Sequence, residues 1–192
     1  MNPEPMYVTS RKGHKTRILT PEEYDQFTSV MKNMRLKTIF EVMFYTGMRY
    51  VELQRLHVHP AWVLNGRGVI HLPFEAQKKV KRVQRERSIH IAPQIRNLLP
   101  YFFKNEPPAS IQAWIDWLRH TASKAGFSDG YGFGARITRK TIESWMVVAG
   151  IPLNQICLWQ GHDSMTSMNH YQGLAFTDGE VLEIKRRLAG WW

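Results

Sequence analysis

Cysteine is almost absent from this 192-residue chain, and long apolar runs are missing altogether. The one cysteine, Cys157, can form no internal disulfide, which excludes a disulfide-stapled fold and fits a reducing compartment. No stretch approaches ~18 uninterrupted apolar residues, and residues 1–15 lack the apolar core of a signal peptide. The sequence therefore indicates a cytoplasmic protein without a membrane span, in which Cys157 is a small buried hydrophobic residue.

Acidic residues are also few compared with basic residues. Asp and Glu number 16 against 26 Lys and Arg, which gives a net charge of +10 with the eight histidines neutral. An excess of this size favours a polyanionic partner, because binding releases counterions and the field steers the partner inward. Nucleic acid is the leading candidate and an acidic membrane surface the second. The hydrophobic content of 43% is enough for one domain with a sizeable core.

The pattern of the first half predicts helices followed by a small sheet. Residues 1–19 form a basic arm or linker stub, and residues 20–192 form one domain. Thr20, Pro21 and Glu23 make a capping box that starts a helix running to about residue 32. A second apolar-faced helix closes at Gly47. Two runs of β-formers, 68–73 and 86–93, then predict an antiparallel hairpin with a basic turn.

The second half returns to helical periodicity. Helices are predicted after Pro93, after a Ser110 cap, and in four further segments: 138–148, 152–160, 165–171, and a tail helix capped by Asp178. Trp114, Trp117, Leu118 and Trp145 lie at core spacings on two of these helices. The predicted fold class is mainly α with a small antiparallel β-hairpin or sheet, an α+β domain.

Four elements in the order of the chain carry a more specific signal. They are Arg49 just after a helix end in "YTGMRYVELQRL", the basic hairpin, "RITRKT" at 136–141, and "WQGHDSMTSMNHY" at 159–171. In this order the chain resembles the catalytic domain of tyrosine recombinases, the phage and archaeal-virus integrases. The resemblance covers roughly residues 20–175. Its first box is similar to TG-x-R-xx-E-L, and in its last box a tyrosine stands nine residues after a histidine.

The resemblance implies a catalytic set for DNA strand cleavage and rejoining. Two arginines, Arg49 and Arg139, would clamp the phosphate, since planar guanidinium groups match the oxygens on which negative charge develops. Tyr171 would be the nucleophile, forming a 3′-phosphotyrosyl intermediate, and His162 would orient the phosphate or help to take the tyrosine proton. Such chemistry implies neither a metal nor another cofactor.

Two positions of the set depart from the family pattern or stay open. The family usually reads H-x-x-R where this chain has Arg136 before Arg139, as in some archaeal integrases, and arginine suits a phosphate donor better than a general base. The general acid that protonates the leaving 5′ oxygen would be a hairpin lysine. Lys79 is the preferred choice and Lys81 the reserve. The remaining basic residues expected at DNA are Lys78, Lys81, Arg82, Arg85 and Lys140.

The implied partner is double-stranded DNA, with self-association into a tetrameric synapse in the full-length enzyme. The family's N-terminal core-binding domain is missing from the sequence, so a truncated chain and a naturally minimal enzyme are both open. The expected function is site-specific integration or excision. Two alternatives remain: DNA relaxation like that of a type IB topoisomerase, and a DNA-binding relative without catalysis. A metal site at His57, His59, His71 or His90 is disfavoured for want of Cys or acidic partners.

Overall fold

The computed structural model describes residues 4–10, 13–76, 86–162 and 174–191. Within these ranges helices dominate and the strands are short, which confirms the predicted fold class. The helices are α1 Pro21–Ser29, α2 Met34–Thr46, α3 Tyr50–Val58, α4 Pro93–Arg96, α5 Leu98–Lys104, α6 Ile111–Lys124, α7 Ile137–Ala149, α8 Leu153–Gln160 and α9 Asp178–Leu188. The strands are β1 Met6–Thr9, β2 Lys15–Ile18, β3 Val63–Leu64, β4 Val69–Leu72 and β5 Arg87–His90.

Helices α2 and α7 form the centre of the domain. Helix α7 packs against α2, α8, α9 and β2, so most of its side chains are buried. An aromatic cluster joins the two helices: the ring centroids of Phe44 and Trp145 are 5.0 Å apart, and that of Tyr24 is 4.5 Å from Phe44. Burial of rings this large supplies much of the hydrophobic driving force. The prediction that Trp145 is a core residue is confirmed.

Local capping signals match the helix ends at most positions. The Thr20 hydroxyl accepts the Glu23 N–H at 3.2 Å, and the Thr20 N–H donates to the Glu23 carboxylate at 3.0 Å. Gly47 ends α2 in the left-handed conformation with φ 61°. The predicted cap of the last helix was wrong by one residue. The cap is Thr177, whose hydroxyl accepts the Glu180 N–H, whereas Asp178 is the first helical residue.

The predicted hairpin is confirmed and has a third strand. Strands β4 and β5 pair antiparallel with Ile70 opposite Ile89 and Leu72 opposite Arg87. Strand β3, too short to predict from periodicity, pairs on the other side of β4. Alternation along β5 buries Arg87 and Ile89 on the same face. The Arg87 side chain therefore points from β5 toward the domain interior.

The N-terminal segment contains an antiparallel hairpin, β1 and β2, in the region where the sequence predicted an arm or linker stub. Val8 and Ile18 are buried, and the Arg17 guanidinium bonds the carboxylates of Glu23 and Asp129. The basic residues of this segment obscured its short alternating pattern. The division into an arm and a domain stays a prediction.

The end of the described chain packs onto the small sheet. Trp191 is buried, and its indole N–H donates to the backbone oxygen of His90 at 3.1 Å. Cys157 is buried as predicted. Among the residues described, no helix combines the length and apolarity needed to cross a membrane.

Candidate active site

The predicted residues that the structure describes lie together around one cleft of about 450 Å³. The cleft is formed by the turn between α2 and α3, the starts of α3, α6 and α7, and His162 just beyond the cap of α8. We call it the arginine cleft. Its lining residues are Met48, Arg49, Tyr50, Val51, Ile111, Ala135, Arg136, Arg139, Lys140 and His162. Five predicted site residues, distant in sequence, therefore share one surface.

Arg49 is held at the N-terminus of α3 by a residue of that helix. The Glu52 carboxylate accepts the Arg49 backbone N–H at 2.8 Å and its Nη1 at 2.7 Å. One side chain thus fixes both the turn and the guanidinium. The Arg49 side chain is 22% exposed, and it lines the cleft. The pairing with Glu52 orients Arg49 for a ligand without covering it.

Glu52 itself is completely buried and is shared with a second arginine, Arg87 of β5. Arg87 Nη2 lies 2.7 Å from Glu52 Oε2, and Arg87 Nε donates to the Trp159 carbonyl at 2.9 Å. Burial alone would raise the pKa of Glu52, but Arg87 and then Arg49 lower it to about 2. Glu52 is therefore ionised at neutral pH and ties the sheet and α8 to the turn that carries Arg49.

Arg139 is held by three acceptors from three different parts of the chain. Its Nη1 donates to the Gly47 carbonyl at 2.8 Å and its Nη2 to the Gln160 carbonyl at 2.5 Å. Its Nε lies 2.8 Å from Glu143 Oε1. These contacts use three of the five guanidinium N–H donors, and Nη2 also lies 3.3 Å from His162 Nε2. The guanidinium is thus oriented before any ligand arrives, at the place where α2 and α8 end.

His162 follows the left-handed cap Gly161 at the end of α8 and contacts the same carboxylate. Its Nε2 is 2.6 Å from Glu143 Oε1 and 3.3 Å from Arg139 Nη2. Burial lowers the pKa of His162, and the charges of Arg139 and Lys140 lower it further against the opposing effect of Glu143. His162 is therefore neutral near pH 7, a state in which one ring nitrogen can accept a proton.

Arg136 and Lys140 complete the positive lining at the start of α7. Arg136 is the N-cap residue and is exposed, and its side chain makes no hydrogen bond or ion pair with the described part of the chain. Lys140 Nζ lies 3.1 Å from Glu143 Oε2. The cleft thus collects four cationic side chains near a helix N-terminus, whereas its two carboxylates are buried. Such a surface favours a phosphate-sized anion.

Three residues that organise the site were missed as functional in the sequence: Arg87, Glu143 and Gln160. The alternation of β5 placed Arg87 on the same face as Ile89, and Glu143 stands four residues after Arg139 on one helix face. Both patterns could have identified Arg87 and Glu143 as site residues from the sequence. Gln160 offers no such pattern, since its contact with the turn at Gly47 depends on how α8 packs on α2.

Several predicted residues lie outside the described ranges. They are Lys78, Lys79, Lys81, Arg82 and Arg85 of the hairpin turn, and Tyr171, which stands between α8 and α9 in the sequence. The short helix predicted at 165–171 lies outside as well. Their assignments stay predictions.

Comparison with known proteins relates this chain to one protein family and to several solved structures. Residues 17–177 match the phage integrase family. A search of curated proteins finds no match to the chain. The crystal structure of XerA recombinase is similar with a TM-score of 0.66 and 18% identity, over 91% of this chain and 66% of that one.

Two further solved structures share the fold. Tn1549 transposon integrase in complex with transposon right end DNA has a TM-score of 0.66 and 16% identity, over 90% of this chain and 66% of that one. The structure of XerH site-specific recombinase bound to difH substrate has a TM-score of 0.60 and 15% identity, over 86% of this chain and 56% of that one. This chain thus spans 66%, 66% and 56% of these three solved chains, less than two thirds of each.

Proposed function

We propose, because this chain belongs to the phage integrase family, that it is a site-specific recombinase which cleaves and rejoins strands of double-stranded DNA. The observation that carries the proposal is the arginine cleft. There Arg49 and Arg139 are each fixed by a buried carboxylate, and both line the same space beside a neutral His162. A phosphodiester fits this lining in size, charge and hydrogen-bonding pattern.

The two arginines would stabilise the charge that develops during strand transfer. Attack on phosphorus adds negative charge to the nonbridging oxygens, and preorganised guanidinium donors lower the free energy of that state without reorganising. After its structural bonds Arg139 keeps a second N–H on Nη1, which can donate to a phosphate oxygen. Arg136, exposed at the rim, would add a further phosphate contact.

Tyr171 and a hairpin lysine would carry the covalent step. The Tyr171 oxygen forms a bond to phosphorus and gives up its proton, with His162 Nδ1 as an acceptor. The bond from phosphorus to the 5′ oxygen breaks, and that oxygen takes a proton from Lys79. Attack by a 5′ hydroxyl reverses the sequence and releases Tyr171. Because the phosphotyrosyl bond conserves the energy of the phosphodiester, these steps consume no nucleotide.

The R-x-x-R pair of Arg136 and Arg139 supports assignment to the archaeal-virus type of integrase. We therefore propose integration of a viral genome as the biological reaction. Binding to DNA by Lys78, Lys81, Arg82, Arg85 and Lys140 and assembly into a tetrameric synapse belong to the same proposal. The net charge of +10 supports the DNA contact.

A covalent adduct tests the proposal. The wild-type chain, incubated with nicked suicide duplexes carrying candidate sites, should form a protein–DNA band stable to denaturant. Tyr171→Phe should bind the duplex with similar affinity and form no adduct, because only the nucleophilic oxygen is removed. Tyr131→Phe is the matched control, since Tyr131 is an exposed tyrosine outside the cleft. An adduct in Tyr171→Phe, or none with wild type on any site, would refute the assignment.

A further inference from the structure

We propose that Glu143 is a positioning residue of the arginine cleft, which selects the protonated nitrogen of His162 and fixes the orientation of the Arg139 guanidinium. The inference rests on the proposed function and names a residue outside its catalytic set. Glu143 lies on α7, one turn after Arg139, and its side chain is completely buried. Three cleft residues converge on it: Arg139, Lys140 and His162.

The first consequence concerns the tautomer of His162. An ionised carboxylate only accepts hydrogen bonds. Burial raises the pKa of Glu143, but Arg139, Lys140 and the hydrogen bond with His162 hold it well below the usual range. At 2.6 Å from Glu143 Oε1, His162 Nε2 must therefore carry the hydrogen. The longer contact to Arg139, at 3.3 Å, joins two donors and is not a hydrogen bond. Nδ1 remains the nitrogen that can accept a proton.

The second consequence concerns Arg139. Its Nε donates to Glu143 Oε1, while Nη1 and Nη2 donate to the carbonyls at the ends of α2 and α8. Three acceptors in three directions fix both the position and the roll of a planar group. Without Glu143, the two carbonyls would still hold the outer nitrogens, but rotation about the axis between them would be unopposed. The remaining N–H on Nη1 would then lose its fixed direction.

A purely structural role would be an ordinary helix ion pair. Glu143 does form such pairs along α7, with Lys140 three residues before it and with Arg139 four residues before it. The same oxygen that binds Arg139, however, also binds His162, which lies outside α7, after the end of α8. A carboxylate that only stabilised α7 would have no effect on the proton of His162. The state of the His162 ring therefore separates the two roles.

Two substitutions distinguish the effect of the hydrogen bonds of Glu143 from the effect of its charge. Glu143→Gln can place its amide oxygen where Oε1 lies, which keeps the acceptor for Arg139 and His162 and removes the charge. Glu143→Met keeps the length of the side chain and removes the acceptor. Glu41→Gln is the matched control: Glu41 lies on α2 outside the arginine cleft, is partly buried, and accepts a hydrogen bond from the Tyr24 hydroxyl of α1.

The measurements are ¹⁵N NMR of the histidine rings in the free 192-residue chain and single-turnover cleavage of a suicide duplex over a range of pH. Wild type and Glu143→Gln should both show His162 with hydrogen on Nε2. Glu143→Met should lose this preference and cleave ~100-fold or more slowly, because the wrong tautomer and a misaimed donor both raise the barrier. Glu143→Gln should cleave within about 10-fold of wild type, with the His162 titration moved to lower pH because a neighbouring anion is gone.

The outcomes are decisive in either direction. Unchanged His162 ring signals in Glu143→Met, or cleavage by Glu143→Gln as slow as by Glu143→Met, would overturn the positioning role. If Glu143→Met does not fold, the His162 titration in Glu143→Gln decides: an unchanged titration overturns the inference. If wild type forms no adduct, the proposed function fails, whereas the ring signals still test Glu143. Glu41→Gln should leave both measurements at wild-type values.

Discussion

Replacing Gly47 by alanine tests how the turn before Arg49 is built. Gly47 ends α2 with φ 61°, a conformation that costs an alanine ~1–2 kcal/mol. A Cβ at this position would lie 2.2 Å from Gln160 Oε1 and 2.4 Å from Gln160 Nε2. The Gln160 side chain is buried and donates to the Thr46 carbonyl at 3.4 Å. Because Gln160 is fully buried, its side chain can give way only by displacing buried neighbours, which adds an overpacking cost of ~1–3 kcal/mol.

Gly150 provides the matched control for the backbone cost. It ends α7 in the same left-handed region, with φ 90°, and no heavy atom of the described chain lies within 4 Å of an added Cβ. Gly150→Ala should therefore lose only the ~1–2 kcal/mol of backbone strain. Gly47→Ala should lose a total of about 2–5 kcal/mol, the sum of strain and overpacking. The difference between the variants isolates the contact with Gln160.

Urea unfolding of the two variants and of Gly47→Ala/Gln160→Ala measures these terms. Shortening Gln160 frees the space for the new methyl group, so the loss caused by Gly47→Ala should fall toward that of Gly150→Ala in the Gln160→Ala background. Since the Gly47 carbonyl also accepts from Arg139, cleavage should slow in Gly47→Ala and not in Gly150→Ala. Equal stability losses in the two single variants would refute the reasoning.

Two further predictions concern the stability of the chain at acidic pH and the general acid in the hairpin turn. Glu52→Gln should lower the unfolding free energy by about 3 kcal/mol at pH 7, because the pKa of Glu52 is about 2 in the folded chain and ~4.3 when unfolded. That difference is fully present above pH ~4.3 and should vanish as the pH falls through about 2; a pH-independent difference in urea unfolding would contradict it. Lys79→Ala should be slow on ordinary DNA and near wild type on a 5′-bridging phosphorothiolate, whose sulfur leaves without a proton. Rescue of Lys81→Ala instead would move the general acid to Lys81.

Local signals were sufficient for the elements that carry the site. The capping box at Thr20, the left-handed glycine at Gly47, and the alternation of residues 68–73 and 86–93 each involve residues a few positions apart. Their energetics depend on backbone geometry and short-range hydrogen bonds, so a sequence alone determines them. The order of the arginine, histidine and tyrosine boxes was likewise legible in the sequence, and the family that it suggested is the one that residues 17–177 match.

Only the tertiary structure decided how the site is held. The contact of Glu52 with Arg87 spans 35 positions, that of Glu143 with His162 spans 19, and Arg139 binds the Gly47 carbonyl across 92. Each joins polar groups that would be costly to bury alone, so each forms only where packing brings its partner within reach. The sequence determined which residues carry charge and where helices end, whereas the packing of α2, α7 and α8 determined that two buried carboxylates orient the cations of one cleft.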